Sequence, residues 1–166
     1  GTITTLFSAR PKLELFDLAP MHGTVIKSRD GLDLVSYLTL PANETGERPA
    51  RPLPMVLFVH GGPWHRDYWS YAGTTQMLAN RGYAVLQVNF RGSAGLGKAF
   101  LNAGDREWAG KMHDDLIDGV NWAIAEGIAD PKRIAIFGAS YGGYSSFVGA
   151  TFTPEVFCCS IPVVGI

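Results

Sequence analysis

Gly138-Ala139-Ser140-Tyr141-Gly142 is the stretch whose residue types and spacing could do covalent chemistry. A serine flanked by glycines two positions away on each side suits a sharp turn from a strand into a helix. Arg133 to Phe137 reads as a short buried strand before it, and Ser140 to Phe152 as a glycine-rich helix after it. Such a turn lifts the hydroxyl above the sheet edge, where a base can reach it. Glycine at 138 and 142 keeps side chains out of the adjoining strand and helix. The helix N-terminus offers unpaired N–H groups and a partial positive charge, which suit an oxyanion. The predicted chemistry is attack of Ser140 on a carbonyl carbon, with the N–H of Tyr141 holding the oxyanion. The bland alternative is a small-residue turn that only packs a helix closely on a sheet.

A second cluster, His60-Gly61-Gly62-Pro63, ends the apolar run Met55 to His60. Glycine there lets a backbone N–H approach a substrate with no Cβ in the way. Gly62 is therefore the expected second oxyanion donor, paired with Tyr141. His60 and Trp64 are candidate contacts to substrate or oxyanion. Tyr68, Trp69 and Tyr71 crowd the same loop and, with Trp64, are expected either to wall the site, the reading slightly favoured, or to pack against a neighbouring domain; His65 reads as a surface-loop residue.

Other features read more plainly. Gly92 to Lys98 matches G-x-x-x-x-G-K, but Ala99 follows where a phosphate-binding loop needs Ser or Thr for magnesium. Nucleotide binding is therefore not expected. Arg91 is expected to anchor its loop rather than bind a substrate carboxylate. Asp114-Asp115 suits helix electrostatics, and His113 an exposed or capping position. Cys158 and Cys159 read as two buried thiols. No cysteine–histidine spacing suggests a metal, and no cofactor is implied.

These residues need a frame. The 166 residues are 46% apolar and 17% charged, with net charge −1. That excludes a disordered tail and gives no basic surface for nucleic acid. No apolar run approaches the ~20 residues of a membrane-spanning helix. Thr24–Ser28 and Leu32–Leu40 flank a hairpin turn at Arg29-Asp30-Gly31. Pro41 to Pro54 reads as an exposed loop; it contains the triplet Asn43-Glu44-Thr45, which receives no role. Further strands are expected at 55–60, 83–90, 133–137 and 156–164, and helices at 71–80, 98–108, 111–126 and 140–152, with a turn at Asp130-Pro131. Strands alternating with helices predict an α/β fold, a mostly parallel sheet with an antiparallel N-terminal hairpin. Both glycine clusters then fall at the carboxyl ends of strands, where such sheets bind ligands.

The segments SRDGL, VLFVHGGPW, LANRGYAVLQVNFRGSAGLGKAF, REWAGKMHDDLIDGVNWAIAEGIADPKRIAIFGASYGGY and ATFTPEVF resemble the catalytic domain of prolyl oligopeptidase-family serine peptidases. The branch they most resemble holds acylaminoacyl-peptidases and dipeptidyl-peptidase-like enzymes. The resemblance implies an α/β-hydrolase fold, a peptide or acyl-peptide substrate, and a preceding β-propeller in the same parent chain. It implies that residues 1–20 are the exit from that propeller and 21–166 the N-terminal portion of the hydrolase domain. The family's chain order is Ser, then Asp, then His. From Tyr141 to Ile166 there is no Asp and no His, and His22, His60, His65 and His113 all precede Ser140. The acid and base are thus expected beyond Ile166, the fold to be cut after the strand following the nucleophile helix, and residues 1–166 alone to be inactive. Alternatives are a carboxylesterase on the same fold and a non-catalytic relative acting as a binding module. The resemblance fixes no compartment, although a cytoplasmic one is slightly favoured, and no oligomeric state.

Overall fold

The computed structural model describes residues 1–44 and 46–166. Thr45, and with it part of the triplet Asn43-Glu44-Thr45, lies outside the described residues. Six strands form one sheet: β1 (Met21–Lys27), β2 (Asp33–Thr39), β3 (Leu53–Val59), β4 (Ala84–Val88), β5 (Ala129–Ala139) and β6 (Cys159–Val163). Their order is β1-β2-β4-β3-β5-β6. β1 with β2 and β2 with β4 are antiparallel, while β4–β3, β3–β5 and β5–β6 are parallel. The helices are α1 (Gly73–Asn80), α2 (Lys98–Asn102), α3 (Lys111–Ala125) and α4 (Tyr141–Phe152). Among the described residues, no helix is long and apolar enough to cross a membrane.

The central strands are apolar runs because both their faces are covered. Leu86 and Val88 lie under Gly119 of α3, whereas Gln87 turns the other way and meets Thr75 of α1. On α3, Met112, Leu116, Val120 and Ala123 recur at helical spacing and are buried. The same face of the sheet carries α4, where Tyr141 reaches Met112 of α3. From β3 the chain crosses to β4 on one side, then passes over to β5 on the other. The ends of β3 and β5 therefore border the switch point at which open α/β sheets bind ligands.

The hairpin turn is tied down by charge. Arg91, just after β4, is buried and holds Asp115 of α3 through Nε and a second guanidinium nitrogen, at 2.9 and 2.7 Å. Its outer nitrogens reach both carboxylate oxygens of Asp30 at 2.9 and 2.8 Å. Arg29 adds bonds to Asp118 and Asp114. Arg91 is thus an anchor, as its sequence context suggests, and the Asp114-Asp115 pair has named partners. The two carboxylates hold the guanidinium more firmly protonated than usual, and Arg91 holds Asp30 far below the ordinary carboxylate range. Arg91→Ala would leave Asp115 buried without its counter-ion, held only by the backbone N–H of residue 91. It should cost about 3–5 kcal/mol, measured by chemical denaturation.

Four expectations need correction. The helix read at 98–108 stops after Asn102, because Gly104 stacks on Gly92: a Cβ there would lie 2.7 Å from the Gly92 Cα. Arg106 and Ala109 then take left-handed φ values of 63° and 55°, which no helix continues through. Asp130-Pro131 is not a turn before a strand but a bulge inside β5. Leu53 pairs with Ala129 and Met55 with Ile134, so residues 130–133 stand opposite Pro54. Neither Pro54 nor Pro131 can donate to a ladder, and the bulge absorbs that loss. Cys158 and Cys159, at the start of β6, are exposed among the described residues rather than buried. His113 is buried between α3 and α4, its Nε2 3.0 Å from Thr153 Oγ1, and burial pushes its pKa down.

Candidate active site

Ser140 stands where β5 gives way to α4. Its φ of 56° and ψ of −119° lie outside the usual regions for a residue with a side chain. Its backbone is held by Ser140 N donating to Val163 O at 3.0 Å and by Tyr144 N donating to Ser140 O at 2.9 Å. Its side chain makes no capping bond to the helix. The hydroxyl therefore stays available at the mouth of the sheet while the first N–H groups of α4 open toward the same space.

The glycines explain how the turn is tolerated. A Cβ on Gly138 would lie 2.5 Å from Val59 O and 2.7 Å from the Gly142 Cα. One on Gly142 would lie 2.1 Å from Val59 O. The end of β3 and the first turn of α4 thus touch backbone to backbone. Tyr141 points its ring inward, against Phe90, Trp108 and Tyr144 at 5.3, 4.8 and 5.5 Å between centroids. That aromatic cluster fixes the start of α4.

The second glycine turn lies directly against the elbow. A Cβ on Gly61 would be 3.6 Å from Ser140 Cβ. Gly62 has φ +121°, and a side chain there would collide with the backbone nitrogens of Trp64 and His65. His60 is buried and stacked on Phe90 at 4.4 Å. Its Nδ1 lies 2.8 Å from Gly61 O, which can only accept, so Nδ1 carries the proton. Nε2 lies 2.9 Å from the Ser93 hydroxyl, which is also 2.6 Å from Phe90 O. Burial pushes the His60 pKa down to about 4, so the ring is neutral at physiological pH. The Nδ1–H is held by Gly61 O, so His60 grips the turn, while Nε2 and Phe90 O share the one hydrogen of the Ser93 hydroxyl.

The remaining aromatics divide. Trp64 is exposed beside the glycine turn. Trp69 and Tyr71, expected on the site wall, instead meet the N-terminal segment: Trp69 Nε1 donates to Met21 O at 3.0 Å, and the Arg10 guanidinium lies over the Tyr71 ring. Gln76 of α1 holds both backbone groups of Ala19. His22 is on the edge strand β1 and His65 is exposed on the loop. Ser93, Asp67 and Trp108 are the site-adjacent residues that the sequence reading passed over. Ser93 sits inside the stretch that mimics a phosphate loop, which drew attention to its glycines. Among the described residues, no group of three acids, histidines or cysteines is arranged for a metal.

The model of the prolyl oligopeptidase family matches residues 69–166, which contain the elbow. The chain belongs to this family. A dipeptidyl aminopeptidase BIII from Pseudoxanthomonas mexicana is 59% identical over 99% of the chain, and a dipeptidyl peptidase family member 6 from Caenorhabditis elegans is 42% identical over 95%. The chain spans about a quarter of the length of each of these relatives (24%). Among solved structures, an acylaminoacyl peptidase from Pyrococcus horikoshii superposes with a TM-score of 0.84 at 26% identity, covering 97% of this chain and 26% of that one. The family's α/β-hydrolase frame is thus present here as a mostly parallel sheet with its antiparallel strands at the N-terminal edge.

Proposed function

We propose that this chain carries the nucleophile and the oxyanion hole of a serine peptidase that removes short N-terminal units from peptides. Ser140 attacks the scissile carbonyl, the leaving amine departs, and water hydrolyses the acyl-enzyme. The N–H groups of Gly62 and Tyr141 receive the negative oxygen. The observation that carries this is the strained Ser140 at the end of β5, its hydroxyl unused by the helix and the Gly61–Gly62 turn packed against it. The acid and base are proposed to come from sequence outside residues 1–166, since no His or Asp follows Ser140. Residues 1–20 are proposed to link to a further domain of the same protein, such as a β-propeller that limits access.

His60 takes a positioning role in this reading. A trans peptide holds its C=O and N–H in opposite directions. By holding Gly61 O, the ring fixes the direction of the Gly62 N–H in the same peptide unit. His60→Ala should lower kcat/KM by roughly 100- to 1,000-fold, the usual cost of losing one oxyanion donor. Because burial keeps His60 neutral, acidification below its ordinary pKa favours the unfolded chain, which binds the proton more readily. Stability from this group should therefore fall as pH drops from about 6.5 toward 4, and less so in His60→Gln.

The test is a fluorophosphonate probe on the full-length protein, followed by dipeptidyl and N-acylaminoacyl anilides beside simple acyl esters. Labelling of Ser140 with cleavage of the anilides supports the proposal. Cleavage of esters alone would make it a carboxylesterase, and no label at all a non-catalytic relative.

A further inference from the structure

Asp67 lies five residues beyond Gly62 on the loop that leaves the oxyanion turn. Its backbone N–H donates to Asn89 Oδ1 at 2.8 Å, and its carbonyl oxygen faces Asn89 Nδ2 at 3.4 Å. Its carboxyl Oδ1 is 2.7 Å from the Gln87 side-chain amide. Gln87 is buried on β4 and its other amide atom is 3.3 Å from Thr75 Oγ1 of α1. Asp67 Oδ2 is buried with no partner among the described residues. Nothing bonds that oxygen as a charged carboxylate should be bonded.

A proton lowers the cost of that orphan, because Oδ2 then becomes a neutral carbonyl oxygen rather than half of a charged carboxylate. The 2.7 Å separation suits an O–H···O bond as well as an N–H···O bond, and the two ends of a glutamine amide can exchange. With Asp67 protonated on Oδ1 and Gln87 turned over, the acid donates to the amide oxygen, and the amide nitrogen donates to Thr75. One chain of bonds then runs from the loop through β4 to α1. The titratable or charged neighbours are Arg66, His65 and Tyr68 on the loop, with Tyr37 of β2 bonded to Arg66. Arg66 makes no ion pair with the acid: its guanidinium donates to Tyr37 Oη, Gly95 O and the backbone carbonyl of Asp67. Burial outweighs its attraction and pushes the Asp67 pKa up to about 7.

We propose that Asp67 is a positioning residue: its carboxyl, protonated and shared with Gln87, latches the loop behind the oxyanion turn onto β4, and ionisation loosens that latch. The effect on turnover rests on the oxyanion role given to Gly62; the latch itself does not. Between Gly62 and Asp67 the chain is also held by Ala94 N donating to His65 O at 2.9 Å and by the Arg66 guanidinium donating to Tyr37 Oη and Gly95 O. Losing the carboxyl bond leaves that end of the loop on its backbone bonds to Asn89, so the segment carrying Trp64 loosens at its β4 anchor.

The test compares full-length wild type with Asp67→Asn, which mimics the neutral acid, and Asp67→Ala, which removes the latch. Tryptophan fluorescence of the folded protein should titrate near pH 7 in wild type and lose that step in Asp67→Asn. Fluorophosphonate labelling of Ser140 should slow by roughly 10- to 100-fold in Asp67→Ala, the scale expected for a small misplacement, and recover in Asp67→Asn. An unchanged fluorescence titration in Asp67→Asn overturns the proposal. So does a labelling rate equal to wild type in a folded Asp67→Ala. If wild type takes no label, the hydrolase reading fails, and the fluorescence arm still decides the latch.

Discussion

Ser140→Ala should reduce kcat of the full-length peptidase by at least about 10⁵-fold, and remove covalent labelling by a fluorophosphonate, with KM and fold unchanged. The size follows from the role: losing the nucleophile removes the covalent path, and only oxyanion binding and substrate orientation remain. The fold should survive because the bonds that hold Ser140 run through its backbone, to Val163 O and from Tyr144 N. Alanine keeps the Cβ and the strained φ of 56°, so the variant isolates the hydroxyl. Ser140→Gly makes a complementary test. It is equally inactive, yet glycine accepts a positive φ, so it should be more stable than Ser140→Ala by about 1 kcal/mol. Turnover by Ser140→Ala within tenfold of wild type would place the chemistry elsewhere. A label recovered on another residue would do the same.

The elbow and the mostly parallel sheet with its antiparallel N-terminal hairpin were legible because both follow from local rules. A strand, a G-x-S-x-G turn and a helix are contiguous, and the backbone contacts that need Gly138 and Gly142 follow from that sharp reversal. What stayed hidden depends on partners distant in sequence. His60 could be placed beside the turn but not given its bond to Ser93, thirty-three residues away. Asp67 looks like any loop acid until β4 brings Gln87 against it. Trp69 and Tyr71 carry the right chemistry for a site wall and are met instead by Met21 and Arg10, far earlier in the sequence. Periodicity within one segment finds elements and motifs; it says nothing of which far segment meets them.

Gly142→Ala should be the most damaging single methyl group that can be added to this molecule. At 2.1 Å from Val59 O and 3.0 Å from Val59 C, the new Cβ meets backbone, which has no rotamer to move to. Val59 cannot retreat, because it pairs with Gly138 at the end of β3, the strand between β4 and β5. The first turn of α4 must therefore lift away, taking Tyr141 out of the cluster with Phe90 and Trp108. The cost should exceed about 4 kcal/mol, in the range reserved for severe overpacking. Any folded fraction should label at Ser140 at least about 100-fold more slowly, since the elbow moves with the helix. Gly149→Ala on the same helix is the control. Its Cβ would meet the Phe157 ring at 3.0 and 3.2 Å, a side chain that can shift, so it should cost about 1–3 kcal/mol and leave the labelling rate near wild type. The difference between the two variants separates the general cost of a crowded helix from the specific need for backbone contact at the nucleophile. A Gly142→Ala protein that melts and labels like wild type would mean that β3 and α4 do not touch there, and that the turn is not the strained elbow described.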